Sequence, residues 1–169
     1  LDNLSQKTTI EYKNQGDFIV TIGMVNSSLG GTEYLKTLHG KVEGPISKLD
    51  IDLEVRVQSV CLEAIKSGII NSAHDMSDGG LAVNLSESII NAQDGIGAKI
   101  ALHRKLRPDE ILFGECQSVI IVSIDENNLY DLVSKAQELG VYTQTIGRVI
   151  DVPKIKINDL IDLDRPSLS

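Results

Sequence analysis

Cysteine is scarce in this chain: Cys61 and Cys116 are the only two in 169 residues. Two thiols exclude a disulfide framework, and neither stands in a CxxC spacing that would hold zinc. A reduced, cytosolic compartment is expected. No apolar run approaches the roughly 20 residues that a membrane-spanning helix needs. The opening LDNLSQKTTIEYK has no signal-peptide pattern. Basic residues are also few, with 16 Lys and Arg against 24 Asp and Glu, a formal charge of -8. That balance excludes a general nucleic-acid binder, which needs clustered cations on phosphates, but leaves room for a phosphorylated ligand held through metal ions or backbone amides. There is no Walker loop, dinucleotide fingerprint, internal repeat or low-complexity tract. What remains is an ordinary globular composition, 41% hydrophobic and 24% charged, long enough for one domain with a sizeable core.

Apolar periodicity divides the chain into alternating strands and helices. GDFIVTIG (16–23) is β-rich and bounded by glycines, so it is read as a strand. A Gly-Gly turn follows, then a short helix that Thr32 would cap and Gly40 would end. KVEGPIS is a loop. Between Asp50 and Ser67, Leu53, Val57, Val60, Cys61, Ala64 and Ile65 recur at helical spacing, with Gly68 as the stop. Cys61 falls on the apolar face and is expected to be a buried free thiol. INSAHD is a short strand, and GLAVNLSESIINAQ a helix with Leu81, Leu85, Ile89 and Ala92 on one side. GAKIAL is a strand, RPDEILF a helical turn opened by Pro108, and SVIIVSI (118–124) a β-branched central strand. Residues 126–139 form an amphipathic helix ending at Gly140, and TQTIGRV and PKIKI are closing strands. This alternation predicts an α+β fold, a mixed β-sheet with helices packed on it. The first dozen residues, polar and without pattern, are expected to trail from something upstream.

Three short segments carry the chemistry. In HDMSDGG (74–80) a strand ends in a turn and opens a helix, which brings backbone amides and a positive dipole end to one spot. Gly79 and Gly80 let a ligand or another backbone approach closely. Asp75 and Asp78 are hard oxygen ligands of the kind Mg²⁺ takes alongside substrate phosphates, and Ser77 is placed to hydrogen-bond a phosphate oxygen. The competing reading is structural: Ser77 or Asp78 caps the helix and His74 is a satisfied core residue. In LFGECQS (112–118), Glu115 and Gln117 lie two apart and point the same way in an extended segment. Cys116 invites a nucleophile reading, yet no spacing marks a partner base among His39, His74 and His103, so a buried thiol is favoured. LGGTEY (29–34) is a glycine turn into a helix.

Taken in order, GDFIVTIG, LGGTEYLKTLHGKVEG, LDIDLEVRV, SAHDMSDGGLAVNLSES, LFGECQSVIIVSI and LGVYTQTIGRV resemble the C-terminal half-domain of the phosphoribosylformylglycinamidine synthase family, over about residues 16 to 150. SAHDxSDGGLAV is specific to that family. Looser versions occur in aminoimidazole ribonucleotide synthetase, selenophosphate synthetase, thiamine monophosphate kinase and a hydrogenase maturation protein. The resemblance implies two tandem repeats of paired half-domains. Residues 16–169 would be the C-terminal half-domain of the second repeat, folded like that of aminoimidazole ribonucleotide synthetase, and 1–15 the tail of its neighbour. It also implies a purine-biosynthesis ligase that uses ATP and Mg²⁺ to activate the formamide oxygen of formylglycinamide ribonucleotide. Ammonia from a glutaminase domain or subunit then displaces phosphate to give the amidine.

On this resemblance Asp75 matches an aspartate that binds Mg²⁺ on a nucleotide phosphate, and Ser77 a residue contacting that nucleotide, with Gly79 and Gly80 beside it. Glu115, Cys116 and Gln117 match a Glu-Ser-Gln loop whose counterpart in the first repeat contacts the ribonucleotide. Two departures matter: Cys116 stands where serine is usual, and Val119 where a basic residue is frequent. The expected partners are the preceding half-domains of the same polypeptide and the glutaminase. Alternatives are a sister ligase or kinase of the superfamily, or a structural module that binds nucleotide without chemistry. In shorter relatives the second repeat lacks a working nucleotide site, which would leave HDMSDGG as inherited structure.

Overall fold

The computed structural model describes residues 6–26, 28–103 and 107–168, so part of the expected N-terminal tail, residues 1–5, lies outside the described residues. The elements run β1 (Phe18–Ile22), α1 (Glu33–His39), α2 (Ile51–Lys66), β2 (Ile70–Asp75), α3 (Gly80–Ile90), β3 (Gly97–Ile100), α4 (Pro108–Phe113), β4 (Ile120–Ile124), α5 (Leu129–Glu138), β5 (Thr143–Ile150), β6 (Lys154–Ile157) and β7 (Ile161–Asp164). They build one seven-stranded sheet in the order β2-β4-β1-β5-β3-β6-β7. The β3–β6 pair is parallel and the other ladders antiparallel, so the sheet is mixed, as the alternation of elements predicts.

Strand periodicity sends alternate side chains to opposite faces, and both faces are covered. Ile19 and Ile121 join Leu81, Leu85 and Ile89 of α3 and Ile111 and Leu112 of α4 in one core. Val20, Ile22, Val122 and Ile124 join Val57, Val60 and Ala64 of α2 and Leu132 and Ala136 of α5 in the other. Burying each such aliphatic side chain contributes about 1.5–3 kcal/mol, which explains why the periodic residues locate the helices well. Cys61 sits in the second core, where burial pushes its thiol up to about 11. Thr32 caps α1 by accepting from the Leu35 amide, and Asp50 caps α2 by accepting from Leu53.

Several expectations are refined. β4 has neighbours on both sides, but the middle strand is β5. The predicted 126–139 helix opens as a 3-10 turn over Glu126–Asn128 before α5 begins. β7 escaped notice because three of its four residues are exposed, so no apolar alternation marks it. The segment expected to trail from a neighbour lies along this domain. Thr9 bridges Ser72 and Tyr12 is buried, with its amide donating to the Ser88 carbonyl at 3.2 Å. The β2–β4 register slips between Ile70 and Ser72, and the Ser72 hydroxyl accepts from the Ser123 amide at 3.2 Å where the ladder is interrupted.

Candidate functional site

β2 delivers Asp75 to one end of the sheet, and the chain then turns into α3. Met76 is buried, with its amide bonded to the Val119 carbonyl at 2.9 Å, while Asp75, Ser77 and Asp78 face solvent. The Gly80 amide donates to the Ser77 carbonyl at 3.2 Å and closes the turn. Gly79 has φ +81 and Gly80 φ +70, the left-handed region that disfavours any Cβ. A Cβ on Gly80 would also lie 2.6 Å from the Gly114 carbonyl oxygen. Gly80 therefore lets two backbones meet, whereas a Cβ on Gly79 would meet the Val83 side chain.

Neither Ser77 nor Asp78 caps α3. The cap residue is Gly79 and no side chain at that position serves the helix. The helix start is satisfied from elsewhere: Oε1 of Glu115 accepts from the Gly79 amide at 2.9 Å and from the Glu33 amide, the first residue of α1, also at 2.9 Å. On the other side of the turn, Nδ2 of the buried Asn84 donates to the Asp75 carbonyl at 2.8 Å. The turn is thus held from outside, and the Asp75, Ser77 and Asp78 side chains make no hydrogen bond among the described residues.

LFGECQS lies beside this turn. Glu115 exchanges backbone hydrogen bonds with Ser28 at 3.2 and 3.1 Å, Cys116 is buried, and Gln117 is exposed. Asp75, Ser77, Asp78, Glu115, Cys116 and Gln117 line one groove of about 390 Å³. Gly79 and Gly80, also expected at the nucleotide, are not among its lining residues. Glu54 and Gln58 of α2 also line it, joined by a 2.6 Å hydrogen bond. The sequence reading missed both; their only signal is an i, i+4 polar pair on the flank of α2, in line with the buried Cys61 one turn further on. A second cleft of about 570 Å³ shares Cys116, Gln117 and Ser118 with the first and is bounded by Ser28, Lys48 and Tyr142. LGGTEY does not line the groove and reaches it indirectly, through the Glu33 amide on Glu115. All three segments singled out in the sequence meet here, though they lie far apart along the chain.

The electrostatics are one-sided. Glu54, Asp75, Asp78 and Glu115 line the first groove with no Lys or Arg among the lining residues. A bare phosphate would be repelled there, whereas a phosphate carrying a divalent cation would find carboxylates to complete the ion's shell. Among the described residues no group of three or more His, Cys, Asp or Glu could hold a metal alone. The Asp75 and Asp78 carboxylates, hard oxygen donors exposed in one groove, fit Mg²⁺ in its usual role, where one or two carboxylates, water and substrate phosphates share the ion. His74 is absent from the groove: its ring lies 3.4 Å from the Ser88 hydroxyl and 3.3 Å from the Glu87 carboxylate, as a satisfied half-buried residue. No histidine lines the groove beside Cys116, which agrees with a buried thiol rather than a nucleophile.

Comparison with known proteins shows the family and the fold. Residues 14–159 match the family model described as AIR synthase related protein, C-terminal domain. Phosphoribosylformylglycinamidine synthase subunit PurL of Alkaliphilus metalliredigens is 35% identical over 150 residues, covering 89% of this chain and 20% of that protein. The chain thus spans about a fifth of the length of this relative. Among solved structures, Thermotoga maritima PurL complexed with FGAR superimposes with a TM-score of 0.81 at 18% identity, over 98% of this chain and 30% of that one. The same protein complexed with ATP gives a TM-score of 0.74 at 18% identity, over 98% and 27%. At that identity the likeness speaks for the fold.

Proposed function

The chain belongs to the AIR synthase related protein, C-terminal domain family, and we propose that it is the C-terminal half-domain of the second repeat of a phosphoribosylformylglycinamidine synthase. Residues 16–169 form the half-domain, and residues 1–15 connect to the one before it. The whole polypeptide is a cytoplasmic ATP-dependent carbon–nitrogen ligase. It converts formylglycinamide ribonucleotide, ATP and ammonia from a glutaminase partner into the amidine. This half-domain supplies one wall of a nucleotide site and is inactive by itself.

One observation carries this reading: the carboxylates of Asp75 and Asp78, the Ser77 hydroxyl and the Glu115–Gln117 loop share a single groove, with the turn held open from behind. Asp75, with Asp78 three residues on, would hold Mg²⁺; when bound, that ion neutralises phosphate charge. Ser77 would donate to a phosphate oxygen, and Gln117 would lie on the ribonucleotide side. The reading also accounts for exposed apolar residues on one stretch of chain. Val42, Ile46, Leu49, Ile51 and Val55 run from the α1–α2 loop along the outer face of α2, where the preceding half-domain would cover them.

The test uses the full-length polypeptide. Amidine formation from formylglycinamide ribonucleotide, ATP and ammonium is expected, and none from this half-domain alone. Calorimetry with Mg·ATP on wild type and Asp75→Asn separates this nucleotide site from others in the polypeptide. Loss of one binding event in the variant, with an unchanged melting temperature, is the expected result. Identical isotherms would reduce the turn to inherited structure.

A further inference from the structure

Glu115 occupies a position that its sequence signature does not announce. One carboxylate oxygen accepts two amides, Gly79 at the entry to α3 and Glu33 at the first residue of α1. Thr32 caps α1 through the Leu35 amide, so Glu115 takes an amide that Thr32 does not serve. α3 has no side-chain cap of its own, so Glu115 is the group that satisfies the Gly79 end. Both amides sit at positive helix ends, where a negative acceptor is favoured, and charge-assisted bonds of this kind are about twice as strong as neutral ones. The Glu115 backbone is meanwhile pinned to Ser28 in both directions.

Ser77 and Asp78 make no side-chain hydrogen bond among the described residues, so the backbone of the turn decides where they point. That backbone is fixed at three places, the Asp75 carbonyl by Asn84, the Met76 amide by the Val119 carbonyl and the Gly79 amide by Glu115. Of these three tethers, Glu115 alone also grips α1. A shift of α1, which is only seven residues long and buries none of them, would be carried directly to the Gly79 amide through that oxygen.

We propose that Glu115 is a positioning residue: its carboxylate ties the start of α1 to the Asp75–Gly80 turn and so sets the geometry that presents Asp75, Ser77 and Asp78 to a magnesium-bound nucleotide. It acts on the nucleotide through the turn and not by contact. The proposal rests on the nucleotide reading above, and its test keeps the two apart.

In the full-length polypeptide, wild type, Glu115→Gln and Glu115→Ala are compared by amide hydrogen exchange without nucleotide and by calorimetry with Mg·ATP. Glutamine keeps a side-chain oxygen that accepts both amides; alanine keeps none. Exchange in Glu115→Ala should accelerate about tenfold in the peptides spanning Glu33 and Gly79 together, as expected when a charge-assisted bond is lost, and change within about threefold in Glu115→Gln. Mg·ATP affinity should fall about tenfold in Glu115→Ala and hold within about threefold in Glu115→Gln. Equal loss of affinity in both variants would show the carboxylate touching the ligand, and would overturn the proposal. So would exchange that is unchanged, or that accelerates at one amide only. A wild type that binds no Mg·ATP overturns the nucleotide reading and the positioning role with it, and the exchange data distinguish that result from a failed clamp.

Discussion

Asn84 reaches back from the second turn of α3 and donates its Nδ2 to the Asp75 carbonyl at 2.8 Å. The side chain is almost wholly buried, and its Oδ1 has no hydrogen-bond partner among the described residues. A buried oxygen without a partner carries a desolvation cost, so the donor side must justify the residue. What it does is fix the last residue of β2, the carboxylate-bearing Asp75, against the helix that follows. Asn84→Asp would place a charge where the carbonyl needs a donor, and should destabilise the protein by about 2–4 kcal/mol, combining a lost bond with a buried charge. Asn84→Leu removes both polar groups at similar volume and should cost less than Asn84→Asp, although it frees Asp75. Urea unfolding of the two variants tests the order, and the reverse order would mean that the bond to Asp75 is not what the site requires.

Gly80→Ala combines a left-handed backbone with a Cβ 2.6 Å from the Gly114 carbonyl oxygen. Gly95→Ala imposes a similar φ of +91 with nothing within 4 Å. The conformational strain alone is about 1–2 kcal/mol, so Gly95→Ala should lose about that much and Gly80→Ala clearly more. Equal midpoints in denaturant would show that α3 and the Gly114 backbone can separate without penalty.

Asp17 is buried beneath β1, and burial raises its carboxyl above the ordinary value of 3.8; the Asn71 amide at 2.8 Å opposes the rise, and the nearby Asp125 charge adds to it. A carboxyl whose folded value lies above its unfolded one holds its proton more tightly when folded. Stability therefore falls as pH rises from 3.8 through the raised value. Asp17→Asn removes that titration and keeps an oxygen for Asn71. The variant's stability relative to wild type should improve across that interval and then level off, measured as urea midpoints at half-unit pH steps. A difference that stays constant with pH would exclude the effect.

Arg165 closes α3 from the far end of the chain, donating to the Ile90 and Ala92 carbonyls at 2.9 and 2.7 Å. Its pairing with Asp94 adds little, since that carboxylate is fully solvated. Arg165→Ala should cost about 1.5–3 kcal/mol, the worth of hydrogen bonds from a charged donor, whereas Asp94→Ala should cost under about 0.5 kcal/mol. Thermal melts of the two variants separate the terms; a larger loss in Asp94→Ala would reverse the assignment. This contact also explains why α3 stops at Ile90, short of the helix predicted through Gln93.

Helix-period apolar residues determined α2, α3 and α5, because each buries one face and the faces recur every three or four positions. Local chemistry likewise determined the Thr32 cap, the Gly40 stop and the Gly79–Gly80 turn, where backbone sterics act within a few residues. The sequence also named Asp75, Ser77, Glu115, Cys116 and Gln117 as one family's site residues, and the fold gathers them into one groove. What stayed out of reach depends on partners distant in sequence. β7 has no periodicity and exists because the β6 edge offers it hydrogen bonds. Tyr12 is buried because its stretch of chain is held against this domain, by the Thr9 bridge to Ser72 and by its own amide on the Ser88 carbonyl. The cap of α3 comes from Glu115, 36 residues beyond Gly79, rather than from Ser77 or Asp78 beside it. Local sequence shows which groups need a hydrogen bond, but only the tertiary structure decides which distant side chain supplies it, because that depends on where the strands bring the chain back.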